Sequence, residues 1–251
     1  VTISPSARAE SQYVSTTGNL TARMAVHERF STNPQDWYSW LGSRLPLRGR
    51  VLEVGAGTGM LWTRVPHDHV ELTLTDFSPV MCERLAMIPG ARVRRCDAAA
   101  LPFPDASFDT VIANHMLYHT DDPAAVLREL ARVSRPGGRL VVATNGRRHM
   151  AELKELCTAM DGSRHSDVTE VTGPALIGAV FEDVRVEDFP GDLAITEVEP
   201  VIGYVCSMVD EPLTVAEVSA IREVVAARIA AQGVFRVRKH VLLVTATRGL
   251  P

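Results

Sequence analysis

Val51-Leu52-Glu53-Val54-Gly55-Ala56-Gly57-Thr58-Gly59 is the stretch that decides the fold of this 251-residue chain. An apolar strand carries one acidic residue and then breaks into alternating glycines. Each glycine lets backbone approach a ligand closely or take a positive φ without a Cβ clash. A turn of this kind, carrying a strand into a helix, is where nucleotide-like ligands sit in open α/β sheets.

Strand and helix alternate outward from this loop. Strands are expected at Arg50–Val54, Glu71–Thr75, Arg92–Cys96, Thr110–Ala113 and Arg139–Thr144, short and rich in β-branched residues. Ser78-Pro79 opens a helix to about Met87, and Asp122-Pro123 opens another with Val126, Leu127, Leu130 and Val133 on one face. Arg135-Pro136-Gly137-Gly138 stops it. Upstream, Leu20–Phe30 predicts a helix, and Asn33 as N-cap with Pro34 predicts a second to about Arg44. Downstream, Met150–Met160 predicts an amphipathic helix, Val184–Phe189 a strand, and Ile195–Met208 leans helical. Thr214 and Glu217 form a capping box before a helix whose Val218, Ile221, Val225 and Ile229 share a face, and Phe235–Thr247 reads as a last strand. The sum is an α/β chain: a doubly wound, mostly parallel seven-stranded sheet with a helical N-terminal lid. The lid is placed at 1–49, the main domain at 50–251, and a substrate-side cap at 190–235.

The glycine loop alone does not name its ligand. Gly55, Gly57 and Gly59 fit G-x-G-x-G, whereas the dinucleotide fingerprint needs a third small residue where Met60 stands. Asp76 ends the second strand about 20 residues on, where a carboxylate accepts ribose hydroxyls of an S-adenosyl ligand or of NAD alike. The stretch Cys96-Asp97-Ala98-Ala99-Ala100-Leu101-Pro102-Phe103-Pro104-Asp105-Ala106-Ser107-Phe108 is more telling. With the loop, Asp76, His119 and Arg135-Pro136-Gly137-Gly138-Arg139-Leu140, in that order and spacing, it resembles the class I S-adenosylmethionine-dependent methyltransferases, type 11 branch. That branch is similar to the ubiquinone/menaquinone C-methyltransferases. Leu20–Leu41, Asn114-His115-Met116-Leu117-Tyr118-His119 and Ala143-Thr144-Asn145-Gly146 further resemble actinobacterial methyltransferases of specialised metabolism.

The resemblance implies S-adenosylmethionine as cofactor. Glu53 would face its methionine amino group. Gly55, Ala56, Gly57 and Gly59 would admit the ligand to the backbone. Asp76 would hold the ribose, Phe77 would lie against adenine, Asp97 would accept from the adenine amino group and Ala98 would donate a backbone N–H. Asn114 would line the methionine end.

Methyl transfer from a sulfonium is an in-line displacement that rests on alignment and exclusion of water. A base matters for a hydroxyl or carbon acid and less for a neutral amine. His115 and His119 are the candidate bases; four apart, they share a face if the stretch begins a helical turn. His119 also has a structural reading. Tyr13, Arg23, His27, Tyr118 and Asn145 are candidate substrate contacts. Arg23 would pair with the methionine carboxylate or be a solvated charge. Trp37 and Trp40 would pack their helix down or stack a substrate. No metal-ligand set is evident.

Composition narrows the partners. The net charge of −4 disfavours broad nucleic-acid or membrane binding, and no apolar run reaches the roughly 20 residues a bilayer requires. Val1–Asn19 lacks a signal-peptide core, and Cys82, Cys96, Cys157 and Cys206 read as buried thiols of a cytoplasmic protein. The expected function is methylation of a small molecule in bacterial natural-product biosynthesis. Alternatives are a quinone-type C-methyltransferase, an NAD-dependent oxidoreductase, and a cofactor-binding protein that transfers no methyl group.

Overall fold

A computed structural model describes residues 18–157, 168–209 and 211–250. The elements in chain order are α1 (Gly18–Phe30), α2 (Trp37–Gly42), β1 (Arg50–Val54), β2 (Glu71–Asp76), α3 (Pro79–Leu85), β3 (Arg92–Arg95), β4 (Phe108–Asn114), α4 (Pro123–Val133) and β5 (Ser134–Asn145). They continue with α5 (Ala151–Lys154), α6 (Thr172–Gly178), β6 (Glu182–Phe189), β7 (Leu193–Ile195), α7 (Val198–Cys206), α8 (Val215–Gln232), β8 (Phe235–Val237) and β9 (Val241–Thr247).

The main sheet has seven strands in the order β3-β2-β1-β4-β5-β9-β6. All pairs are parallel except β5–β9 and β9–β6, which are antiparallel. The chain winds one way from β1 and the other way from β4, so the crevice between their C-terminal ends is the switch point where such sheets bind ligands.

Alternation along the strands builds two cores. Leu52, Val111, Leu140, Val142 and Val244 face one side and pack with Val126, Leu127 and Leu130 of α4 and Ile177 of α6. Val51, Ile112, Val141 and Leu243 face the other and pack with Trp40, Leu41, Leu61, Trp62 and Leu85. A sheet covered on both faces needs near-continuous apolar strands, which is how β1 and β4 read. Each fully buried leucine contributes about 1.5–3 kcal/mol.

A third cluster lies apart. Val26 and Phe30 of α1 pack with Leu193, Ile195, Val201, Val205, Ile221, Val225, Phe235 and Val237. The N-terminal helix and the late segment thus share one apolar cluster, although some 160 residues separate them in the chain. Thr32 N–H donates to the Asp192 carbonyl (2.9 Å) and Asn33 Nδ2 to the Pro190 carbonyl (3.0 Å), tying the end of α1 to the same unit.

Several local expectations are corrected. No helix follows the glycine loop; residues 58–65 form successive turns, with Trp62 N–H bonding the Gly59 carbonyl. Asp36, not Asn33, caps α2, accepting from Tyr38 and Ser39 N–H, while Asn33 accepts from Gln35 N–H in a turn before it. β5 begins at Ser134 because Ser134 pairs with Phe108 across an irregularity that absorbs the Pro-Gly-Gly segment. The helix expected from Met150 spans only Ala151–Lys154; Met150 itself is left-handed, and residues 158–160 lie outside the described residues. Ile195 belongs to a strand and the helix starts at Val198. The last strand is two strands in different sheets. Three consecutive N–H groups leave the ladder for side-chain acceptors: Arg238 for Glu152, Lys239 for Asp192 and His240 for His149. Of the four cysteines expected to be buried, Cys157 is buried, Cys82 and Cys96 are half-buried and Cys206 is exposed.

Candidate active site

A cavity of about 1210 Å³ opens at the switch point. It exceeds the usual range of about 300–1,000 Å³ for ligand pockets, leaving room for a second molecule beside a nucleoside. Its floor is the glycine loop and the ends of β1, β2 and β4, and its far wall comes from α1, α2 and residues around 146–154 and 239. Every candidate residue named above except Gly59, Trp40 and Tyr13 lines it. Gly59 packs under the loop, where an added Cβ would stand 3.0 Å from Leu85. Tyr13 lies outside the described residues.

At the nucleoside end, Asp76 secures its own surroundings. Its carboxylate accepts from Gly57 N–H and Ser78 N–H, both at 2.9 Å. A carboxylate has about four acceptor positions, so two remain for ribose hydroxyls. Gly57 has φ +58, and a Cβ there would meet no atom within 4 Å, so the loop leaves an open cradle on the ligand side. Phe77 is 52% exposed, so it is a wall of the cavity rather than core. Arg95 lies 5.8 Å over its ring and bonds the Phe77 carbonyl. Asp97 closes a turn by accepting from Ala99 N–H (2.9 Å), and Ala98 N–H takes no part in that turn.

At the methionine end, Glu53 is buried and its two oxygens accept from different donors: Trp62 Nε1–H, and Asn114 Nδ2–H at 2.9 Å. Burial pushes its carboxyl up to about 7, opposed by these two hydrogen bonds and reinforced by Asp76. The Asn114 Oδ1 is buried without a partner. A cationic amino group between Glu53 and Asn114 would satisfy both. Cradle, carboxylates and orphaned oxygen together fit S-adenosylmethionine.

The far end of the cavity, beyond Asn114, is aromatic and rich in histidine. Trp37 stacks on Trp40 (5.5 Å), meets Phe189 edge-on (5.2 Å) and tilts against His115 (5.4 Å). Trp40 is core, whereas Trp37 faces the cavity. His115 has φ +52 and precedes a one-turn 3-10 helix over Leu117–His119, so the expected helical turn does not carry both histidines. Burial lowers its imidazole to about 4, leaving it neutral. Tyr118 packs 4.6 Å from His119, and Asn145 Nδ2 reaches the Tyr118 hydroxyl at 3.5 Å. Asn145 Oδ1 is a second buried oxygen without a partner. Arg23 is not solvated: it is 8% exposed and donates to Met208 Sδ at 3.1 Å. His27 contacts the Tyr204 hydroxyl at 3.4 Å and stacks on His149, centroids 6.2 Å apart.

Trp62, His149, Tyr204 and Lys239 were not legible as site residues. Trp62 lies nine positions beyond Glu53, in turns with no motif. The other three come from segments that only the third cluster brings to the cavity.

A doubly wound sheet with acidic strand ends and a glycine cradle at its switch point defines an adenosyl-ligand domain. Residues 52–142 match the family described as "Methyltransferase domain". Phosphatidylethanolamine N-methyltransferase of Cereibacter sphaeroides is 39% identical over 104 residues, covering 39% of this chain and 51% of that one. Demethylmenaquinone methyltransferase of Beutenbergia cavernae is 42% identical over 95 residues, covering 38% and 40%. The crystal structure of the [4+2]-cyclase SpnF superposes with a TM-score of 0.65 at 19% identity, covering 99% of this chain and 98% of that one. Over residues 52–142 the chain is similar to this methyltransferase family. It spans about half or less of the length of these curated relatives.

Proposed function

We propose that this protein transfers a methyl group from S-adenosylmethionine to a small molecule, within bacterial natural-product biosynthesis. The observation that carries the reading is one cavity joining the Asp76–Gly57 cradle to an aromatic chamber walled by Trp37 and His115. Asp76 and Asp97 orient the adenosine, and Glu53 with Asn114 holds the amino group. When bound, the cofactor supplies the electrophilic methyl group. The chain's part is to align the acceptor and to keep water out.

His115 is the proposed base. It is neutral, it lines the chamber, and its backbone N–H is fixed on the Ala143 carbonyl at 2.9 Å. His119 and Tyr118 shape the same wall. α1, with Arg23 and His27, covers the chamber as a lid, and residues 190–235 cap it.

Incubation with methyl-labelled cofactor and a panel of phenols, carboxylic acids, amines and quinols tests the proposal. Label in an organic acceptor supports it, and the acceptor separates natural-product from quinone methylation. Cofactor binding without transfer to any acceptor would instead favour a non-methylating protein, and NAD binding alone an oxidoreductase.

A further inference from the structure

Lys239 is a buried cation that no carboxylate among the described residues meets at ion-pair distance, although Asp192 exerts an opposite field on it. It is 9% exposed, its Nζ donates to Ser31 Oγ at 2.9 Å, and it lies 4.4 Å over the Phe189 ring. Asp192 accepts from its backbone N–H, but among the described residues no carboxylate forms an ion pair with its ammonium. Burying an ammonium costs several kcal/mol unless a partner compensates it. A hydroxyl and a ring face compensate only in part. Burial lowers this lysine to about 8 against the opposing field of Asp192, which still leaves it charged at neutral pH.

Two neutral imidazoles and further cations lie near it. His27 and His149 stack beside it, and both line the cavity. His27 is held down to about 3, first by burial and then by the fields of Lys239, His115 and Arg23. His149 is lowered by burial, by His27 and His115, and by Lys154. Lys239 from the 238–240 break and Arg23 of α1 therefore act on His27, and Lys154 of α5 acts on His149. Arg23 and Lys154 likewise form no ion pair among the described residues, whereas Arg64 and Arg147 on the same cavity are paired with Glu28 and Glu170.

The tautomer of His149 adds a donor. Its Nδ1 accepts from His240 N–H at 3.1 Å, so in the neutral ring the proton sits on Nε2. The chamber thus offers Lys239, Arg23, Lys154 and an imidazole N–H, all donors. The unpaired carboxylates Asp76 and Asp97 sit at the opposite, nucleoside end.

We propose that Lys239, with Arg23, Lys154 and the His149 Nε2–H, forms an anion-binding site, and that the methyl acceptor carries a carboxylate or phosphate group seated there. This names the substrate class within the methyl-transfer reading and rests on it. Charge-assisted hydrogen bonds into a buried chamber select an anion over its neutral isostere.

The test titrates the whole chain with benzoate, phenyl phosphate and neutral benzamide, followed by quenching of tryptophan fluorescence, since Trp37 lines the chamber. Affinity for S-adenosylhomocysteine is measured in parallel by calorimetry. Saturable binding of benzoate or phenyl phosphate but not benzamide is expected. It should weaken about tenfold or more in Lys239→Gln and return in Lys239→Arg, with S-adenosylhomocysteine affinity unchanged. The tighter anion tells carboxylate from phosphate. If Lys239→Gln no longer binds S-adenosylhomocysteine, Lys154→Gln, on an independent element, is read in its place with the same weakening expected. Equal binding of benzamide, or anion affinity unmoved in a variant that still binds S-adenosylhomocysteine, overturns the site. Failure of the native chain to bind S-adenosylhomocysteine overturns the methyl-donor reading itself, and the acceptor assignment falls with it.

Discussion

The indole N–H of Trp62 donates to Oε2 of Glu53, and both side chains are 2% exposed. The indole fixes one oxygen of the carboxyl group, so Asn114 meets the other at 2.9 Å. A carboxyl raised to about 7 by burial is poised between its two forms at neutral pH.

Cofactor affinity should therefore depend on pH. A methionine ammonium favours ionised Glu53, so binding weakens as pH falls below about 7, by up to about tenfold per unit. Trp62→Phe removes a bond that favours the ionised form and should move that midpoint upward. Calorimetric titration with S-adenosylhomocysteine between about pH 6 and 8 checks both. A flat profile places Glu53 outside the ligand contact.

Gly55 and Gly57 should fail for different reasons. A Cβ on Gly55 would stand 2.8 Å from Met116 Cβ, whereas one on Gly57 would enter open cavity. Both have positive φ, so alanine costs each about 1–2 kcal/mol of backbone strain. Gly55→Ala should add a packing clash and lower the melting temperature further. Gly57→Ala should fold and lose cofactor affinity. Thermal unfolding beside calorimetry separates them; equal melting losses with intact binding in Gly57→Ala would sink the cradle.

Asp76→Ala should weaken S-adenosylhomocysteine by roughly 1–3 kcal/mol, the range for hydrogen bonds to a charged group. It also frees Gly57 and Ser78 N–H, so some stability should go with it. Unchanged affinity would refute the ribose role.

His115→Asn keeps a residue that tolerates the positive φ of 52. If His115 removes a proton, turnover with the true acceptor should fall by about 10²–10⁴ while cofactor affinity stays. Turnover that survives the substitution makes His115 a packing residue.

Stability should fall on mild acidification. His27, at about 3, and His115, at about 4, are both below the ordinary 6.5, and His149 is lowered as well. Below pH 6.5 the unfolded chain binds protons that the native histidines refuse, so each costs about 1.4 kcal/mol per pH unit. Glu53 acts oppositely, since its native form holds a proton between 4.5 and about 7, and Asp76, raised by burial, acts the same way, but two carboxyls face three imidazoles. Melting temperature should drop from about pH 7 to 5, and His27→Gln should flatten the drop. A curve indifferent to pH would refute the neutral stack.

Strong local patterns were legible. Val51–Val54, the Asp122-Pro123 start of α4 and the Thr214–Glu217 capping box stand where the sequence put them, since strand alternation and caps are decided by near neighbours. Asp76, Phe77, Asp97 and Ala98 line the cavity for the same reason: each follows a strand end whose place in a parallel sheet is fixed. The break at 238–240 carried no such signal. Its N–H groups are captured by Glu152, Asp192 and His149, residues 47 to 91 positions away.

The sequence by itself determined the doubly wound sheet and the glycine cradle, because these follow from periodicity and short-range turn chemistry, and its motif set carries the resemblance that implies a methyl donor. Only the tertiary structure decided the character of the chamber walled by Trp37 and His115. His27 on His149 and the ammonium of Lys239 on Ser31 are meetings of distant segments, created when α1 and the late elements bury one shared apolar cluster, whereas Trp62 reaches Glu53 from a turn only nine positions on.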